Sequence, residues 1–263
     1  MRYVLPLTDP VLATVDVSVR IGGLQILDDV SIGVPEGTIT GLIGPNGAGK
    51  TTVFNVLCGF VRPDSGQVRL DGRRITHIRP HELTRHGIAR TLQGVGLFPT
   101  LSVLDNVLLG GSARLASSVV EESLGAPWRN RQAHALHDRA VAAMTELGVL
   151  DDAGRLASEL PFPVQKRVAL ARAIVSEPRV LLLDEPAGGI SEGDMAELER
   201  LLRSWVSRMS ILIVEHHMEL VMAVTDLIWV LDAGRVIAAG TPQDVRADPV
   251  VLAAYLGDEA AHA

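Results

Sequence analysis

The sequence predicts an α/β fold with a mixed sheet, interrupted by a mostly helical block. Three features point there. First, the apolar run Ile39–Ile43 reads as a buried strand, leads into a glycine-rich loop, and is followed by a helical run from Thr51 to Leu57. Second, Arg179–Leu183 and Ile211–Val214 are two more continuous apolar runs, each ending in acidic or histidine side chains. Such runs suit parallel strands covered on both faces, with chemistry at their C-terminal ends. Third, in the block between about residues 94 and 177, apolar residues recur at helical spacing over Ala133–Leu147 and Pro163–Ser176.

The other elements are taken in order. Residues 1 to 10 read as a loose terminus. Ala13–Val19 and Val30–Val34 alternate and are expected as strands with one wet face, separated by the turn Gly22-Gly23. Pro63-Asp64-Ser65-Gly66 and Asp71-Gly72 carry turn chemistry on either side of a short strand, Val68–Leu70. Pro80–His86 is expected as a short helix closed by Gly87, and Ile88–Leu92 as a strand running into Gln93. Ser102-Val103-Leu104-Asp105 resembles a capping box with Asp in place of Glu, opening a helix to about Leu109. Residues 110–131 have weak periodicity and contain Gly125, Pro127 and Trp128, so a partly irregular insertion is expected. Ala133–Leu147 is an amphipathic helix ended by Gly148, and Pro163–Ser176 a second helix. Helices are expected at Glu192–Val206, Met218–Val224 and Pro249–Leu256, with strands Leu227–Leu231 and Val236–Ala239 around Asp232-Ala233-Gly234. The division implied is one domain from 11 to 263. Its core is 11–93 with 178–240, the helical subdomain is 94–177, and 241–263 is a C-terminal extension.

Composition narrows the class. At 263 residues and 47% hydrophobic the chain can bury a sizeable core, and with 3% aromatics that core is aliphatic. The net charge of −7 argues against a general nucleic-acid binder, and Arg62, Arg69, Arg73 and Arg74 read as a solvated face. The single cysteine, Cys58, excludes an internal disulfide and is expected to pack rather than react. The start reads as no signal peptide, since Pro6, Asp9 and Pro10 interrupt its apolar stretch. No apolar run approaches the roughly 18 residues of a membrane span. The mean hydropathy of +0.26 then reflects a dense core or a surface that docks on something apolar.

The chemistry starts at Gly44-Pro45-Asn46-Gly47-Ala48-Gly49-Lys50-Thr51-Thr52, which fits the phosphate-loop pattern G-x-x-x-x-G-K-[ST]. Glycines let backbone N–H groups curl around a phosphate, and the helix start adds free donors and a positive dipole end. Lys50 is expected on the β- and γ-phosphates, and the Thr51 hydroxyl on Mg²⁺. A glycine-rich turn that binds nothing is the plain alternative; the strand before and helix after argue against it. Asp184, at the end of Arg179–Leu183, is expected in the Mg²⁺ shell, and Glu185 as general base on water. Leu212–Glu215 delivers His216, and Gln93 is placed to reach the metal or the water. Taken singly, a His or Gln after a strand is more often a structural polar residue; the full loop changes that balance.

Together these residues resemble the nucleotide-binding subunit of an ABC transporter. Gly44–Thr52 matches the Walker A motif, Gln93 the Q-loop, Leu181–Glu185 the Walker B motif, Ala187-Gly188-Gly189-Ile190-Ser191 the D-loop and His216 the switch histidine. The resemblance covers nearly the whole chain. It implies the P-loop ABC-ATPase fold, a RecA-like core with an inserted helical subdomain, binding ATP and Mg²⁺. Ile21-Gly22-Gly23-Leu24, Ala89–Gln93, Val214–Met218 and the ending Pro249–Gly257 are similar to the branched-chain amino acid importer ATPases. The likeness implies a dimer of ATPase subunits under two membrane-spanning permeases, peripheral to the cytoplasmic face, served indirectly by a substrate-binding protein. The stretch Gly94–Leu104 would lie in the docking groove. The same build could serve urea, another amide or an envelope lipid, or a non-transport role.

Two departures qualify the resemblance. The family's Leu-Ser-Gly-Gly-Gln segment, which binds the γ-phosphate held by the other subunit, falls on Leu160-Pro161-Phe162-Pro163-Val164. Pro161 has no hydroxyl and Pro163 no N–H. The helix should form, with Pro163 at its first position, while phosphate binding weakens. This favours a heterodimer over a homodimer, and leaves a hydrolysis-poor member of a pair as an alternative. The adenine-stacking aromatic falls near Ile21, which offers only apolar contact.

Overall fold

The computed structural model describes residues 10–75, 78–91, 94–112 and 127–261. The strands are β1 (Leu12–Ile21), β2 (Leu24–Val34), β3 (Ile39–Ile43), β4 (Ser65–Leu70), β5 (Arg73–Ile75), β6 (Ile88–Arg90), β7 (Val180–Asp184), β8 (Ser210–Val214), β9 (Leu227–Asp232) and β10 (Arg235–Gly240). The helices are α1 (Lys50–Leu57), α2 (Val103–Ser112), α3 (Pro127–Glu146), α4 (Phe162–Ile174), α5 (Glu192–Trp205), α6 (Met218–Val224), α7 (Pro242–Ala247) and α8 (Pro249–Ala261). The chain forms two compact units: one runs to Pro80 and resumes at Leu182, the other is His81–Leu181.

In the first unit β3 is the central strand. All five of its residues are buried, as a continuous apolar run demands. It pairs in parallel with β8, from Ile39 opposite Ile211 to Leu42 opposite Val214, and with β9, from Thr40 opposite Leu227 to Ile43 opposite Val230. β10 turns back antiparallel on β9, and β7 lies beyond β8. The loop after β3 and the turns after β7 and β8 therefore leave neighbouring strands. A second, antiparallel sheet runs β2-β1-β4-β5. Trp229 of β9, 1% exposed, donates its indole N–H to the Gly33 carbonyl of β2 at 2.9 Å, tying the two sheets. Trp205 and Phe54 are also large, fully buried aromatics, and burying each contributes on the order of 2–3 kcal/mol. Cys58 packs at the buried end of α1.

The second unit holds the helical block. Leu136, Ala140 and Met144 of α3 are buried, as are Val107 of α2 and Val168 and Ala171 of α4. The carbonyl of Gly87, just before β6, accepts from the N–H groups of Arg179 and Val180 at 2.7 and 3.1 Å. Ser102 caps α2: its hydroxyl accepts the Asp105 N–H at 3.0 Å and donates to the Asp105 carboxylate at 2.6 Å.

Several expected bounds are corrected. β2 begins at Leu24, because its first half pairs with the end of β1 despite weak alternation. β6 is three residues long, and Leu92 lies outside the described residues. The short helix expected at Pro80–His86 keeps those bounds and is a 3₁₀ helix. Pro127 and Trp128 open α3 rather than lie in irregular chain; proline suits a first helical position, where its missing N–H has no partner to lose. Most of the remaining insertion lies outside the described residues. The helix α7 was missed in the sequence, although Thr241-Pro242-Gln243-Asp244 spells its start: Thr241 and Asp244 form a reciprocal capping box.

Candidate functional site

The glycine loop leaves β3 at Ile43 and closes on α1, whose N-cap is Gly49 at φ +102°. Pro45 and Ala48 are buried, while Asn46, Gly47 and Thr51 are exposed. The loop is held from behind. The Ala48 carbonyl accepts the Gly234 N–H at 3.0 Å, and the Ala48 N–H donates to the Pro45 carbonyl at 3.2 Å. Lys50 lays its ammonium along the loop, donating to the carbonyls of Gly44 and Pro45 at 2.7 and 2.8 Å. Tyr255 of α8 adds a hydrogen bond to the Gly44 backbone, and burial pushes its phenol up to about 12.

Asp184 ends β7 and is buried. Glu185 comes next with φ +48°, in the left-handed region that costs a non-glycine residue roughly 1–2 kcal/mol. Its N–H donates to the Val214 carbonyl at 2.9 Å, which sets the end of β7 level with the end of β8. His216, two residues past β8, brings Nδ1 to 3.8 Å from the Glu185 carboxylate. Both side chains reach solvent, at 57% and 38% exposure, so both can meet a ligand. The structure thus brings Glu185 and His216 together, and delivers the loop carrying Lys50, Thr51 and Thr52 from the same sheet edge. Gln93 lies outside the described residues. Sequence reasoning assigned no role to Glu215 or Tyr255. Tyr255 gave no signal beyond a family-like ending. For Glu215, a carboxylate closing an apolar strand was the available clue.

In the second unit α4 starts at Phe162 with Pro161 as N-cap, and no side chain caps it. Pro163 is the second helical residue rather than the first. The helix loses nothing there, since its first ladder bond runs from the Gln165 N–H to the Pro161 carbonyl at 3.0 Å. The stretch after position 93 is braced from within the same unit. Arg172, its guanidinium pushed down by burial, donates to the carbonyls of Gly96 and Val95, and Asn106 exchanges hydrogen bonds with the Phe98 backbone. That leaves the Phe98 ring half exposed. Ile21 and Leu24 are also exposed, beside the β1–β2 turn.

Exposed backbone curled at a helix start receives phosphate, and a carboxylate beside a histidine can take a proton from water. This defines a P-loop nucleoside triphosphatase. Comparison with known proteins narrows the class. Residues 27–188 match the model of the ABC transporter family, and residues 235–261 match that of the branched-chain amino acid ATP-binding cassette transporter. The chain is 39% identical over 255 residues to the high-affinity branched-chain amino acid transport ATP-binding protein LivG of Salmonella typhimurium, covering 96% of this chain and 100% of that one. It is 36% identical to BraF of Pseudomonas aeruginosa, covering 95% and 98%. With the lipopolysaccharide export ATP-binding protein LptB of Acidithiobacillus ferridurans it shares 35%, covering 89% and 91%. An ATP-binding cassette solved in its ADP conformation superposes with a TM-score of 0.80 at 30% identity, over 94% of this chain and 98% of that one. The chain belongs to the ABC transporter family, as an ATP-binding and ATP-hydrolysing subunit.

Proposed function

We propose that this subunit powers a membrane importer for branched-chain or related amino acids. One observation carries the mechanism: Glu185 and His216 stand 3.8 Å apart at the sheet edge from which the glycine loop also emerges. ATP would lie with its phosphates against the Gly44–Thr52 loop, on the backbone N–H groups that follow Pro45, with Lys50 against the β- and γ-phosphates. The Thr51 hydroxyl and Asp184 carboxylate, joined by Gln93, are oxygen donors of the kind Mg²⁺ prefers, and would hold it. Mg²⁺ when bound supplies neutralising charge. Glu185 takes a proton from water as the water oxygen bonds to the γ-phosphorus and the bond to ADP breaks. His216 faces the γ-phosphate side.

The substrate class is supported by the match over 235–261 and by the names of LivG and BraF; the likeness to LptB means that the core alone does not choose it. The partners we propose are two membrane-spanning permease subunits, a second ABC ATPase, and indirectly a substrate-binding protein, with this chain peripheral on the cytoplasmic face. Among the described residues no helix is long and apolar enough to cross a membrane, in keeping with a peripheral role. Residues 94–177 would act as the helical subdomain on a core of 11–93 and 178–240, with 241–263 as extension, and Phe98 would meet a permease. Pro161 and Pro163 favour a heterodimer: this chain's loop with an intact partner segment would hydrolyse, and the opposite site would hold ATP weakly.

The test is purification from membranes with turnover measured in the assembly. Two permeases and a sister ATPase should co-purify. Glu185→Gln should keep Mg-ATP affinity and lower turnover about 10²–10⁴-fold. Turnover within twofold of the parent would remove Glu185 from the base role.

A further inference from the structure

Glu215 ends the run that delivers His216, and its side chain has no exposed surface. A carboxylate so placed must be met by donors, or its burial is costly. Here four meet it. Oε1 accepts the Ala187 N–H at 2.7 Å. Oε2 accepts the N–H groups of His216 and His217 at 2.9 and 3.2 Å and lies 3.1 Å from Nδ1 of His217. The bonds to 216 and 217 are local, and a turn leading into α6 would explain them. The bond to Ala187 is not local: it reaches 28 residues back, to the second residue after Glu185.

That reach matters because of the Glu185 backbone. A non-glycine residue at φ +48° persists only where its surroundings hold it. Ahead of the strained φ, the Glu185 N–H is fixed to the Val214 carbonyl; beyond it, the Ala187 N–H is fixed to Glu215. Both anchors belong to the segment that carries His216. We propose that Glu215 is a positioning residue that locks Glu185 and His216 into one unit, so that base and histidine keep their separation and move together. It acts through these neighbours and rests on the proposal that Glu185 and His216 carry hydrolysis. Glu215, His216 and His217 also cluster closely enough to suggest a metal site, but the Glu215 oxygens are already engaged by N–H donors.

The test uses the full chain in its membrane assembly, with Mg-ATP. Glu215→Gln keeps the shape but turns one oxygen into a donor, which must then face an N–H group. We expect kcat to fall tenfold or more, with KM and calorimetric Mg-ATP affinity within twofold of the parent. A residue that merely supports folding would move KM, affinity and thermal midpoint together, and that result overturns the proposal. Glu215→Asp is the second variant. It can still bond the N–H groups of 216 and 217 but is one methylene too short for Ala187. Its kcat should be nearly as low; full activity would show that the Ala187 link positions nothing. Glu185→Gln separates the two ideas. If it is inactive while both Glu215 variants turn over normally, only the positioning role of Glu215 fails. If Glu185→Gln itself turns over normally, the hydrolytic reading fails first.

Discussion

Two glycines of the phosphate loop should fail in different ways when each is changed to alanine. A Cβ on Gly44 would stand 1.9 Å from the Leu231 carbonyl oxygen, with φ at +150°. That oxygen cannot swing aside, because Leu231 sits in β9 next to Val230, which is in register with Ile43. Restoring normal contact means parting two paired strands by more than an ångström. Overpacking of this kind costs about 1–3 kcal/mol or more, and the backbone conformation adds roughly 1–2 kcal/mol. The total, about 2–5 kcal/mol, corresponds to a fall in thermal midpoint of roughly 5–20 °C for a chain of this size. A Cβ on Gly47 meets nothing within 4 Å, so only the penalty for φ +78° remains, about 1–2 kcal/mol and a few degrees. The added methyl would instead stand on the exposed side of the loop, where a phosphate has to approach the backbone. Gly47→Ala should therefore fold and lose Mg-ATP affinity at least tenfold. Thermal unfolding and calorimetry on both variants decide it. A Gly44→Ala protein melting within about 2 °C of the parent would refute the packing argument. A Gly47→Ala protein binding Mg-ATP at parental affinity would mean that this face is not the phosphate cradle.

Lys50→Ala should weaken Mg-ATP binding by removing the point charge on the β- and γ-phosphates, and unchanged calorimetric affinity would place the nucleotide elsewhere. If the proposed heterodimer holds, the chain purified alone should hydrolyse ATP very slowly and gain activity when a sister ATPase is added; Pro163→Gly should raise the rate of the chain alone, and an unchanged rate would show that the missing N–H is not the limiting defect. Tyr255 should form phenolate near pH 12 instead of 10, because burial favours the neutral ring. With the folded value raised, its share of stability is intact below about pH 10 and is lost as pH climbs through about 12. The parent should therefore lose thermal midpoint faster than Tyr255→Phe across that window, and parallel curves would remove Tyr255 as the cause.

Much of this molecule was legible in the sequence. The Ile39–Ile43 strand was placed to the residue, and the other buried runs within one or two, because apolar strands with turn residues at both ends leave little freedom. The positions of the glycine loop, Asp184, Glu185 and His216 at strand ends were legible because each follows a short apolar run whose end is marked by glycine or polar residues. The errors fell where local signal is weak. β2 alternates poorly over its first half and is made by pairing with β1. Pro127 reads as a breaker unless it is known to be a first helical residue.

The sequence by itself determined the fold class, the phosphate loop, and which carboxylates and histidine leave strand ends. These depend on residue type and short spacing, which a linear chain carries in full. Tertiary structure alone decided that Glu185 sits at φ +48° and 3.8 Å from His216, that Glu215 reaches Ala187, and that Tyr255 reaches Gly44. Each of the three contacts joins residues between 28 and 211 positions apart. Such a contact exists only because β3, β8 and β7 lie side by side in the sheet and α8 packs back toward the end of β3. Strand order is set by how all the apolar faces are buried at once, so no single stretch of sequence encodes it.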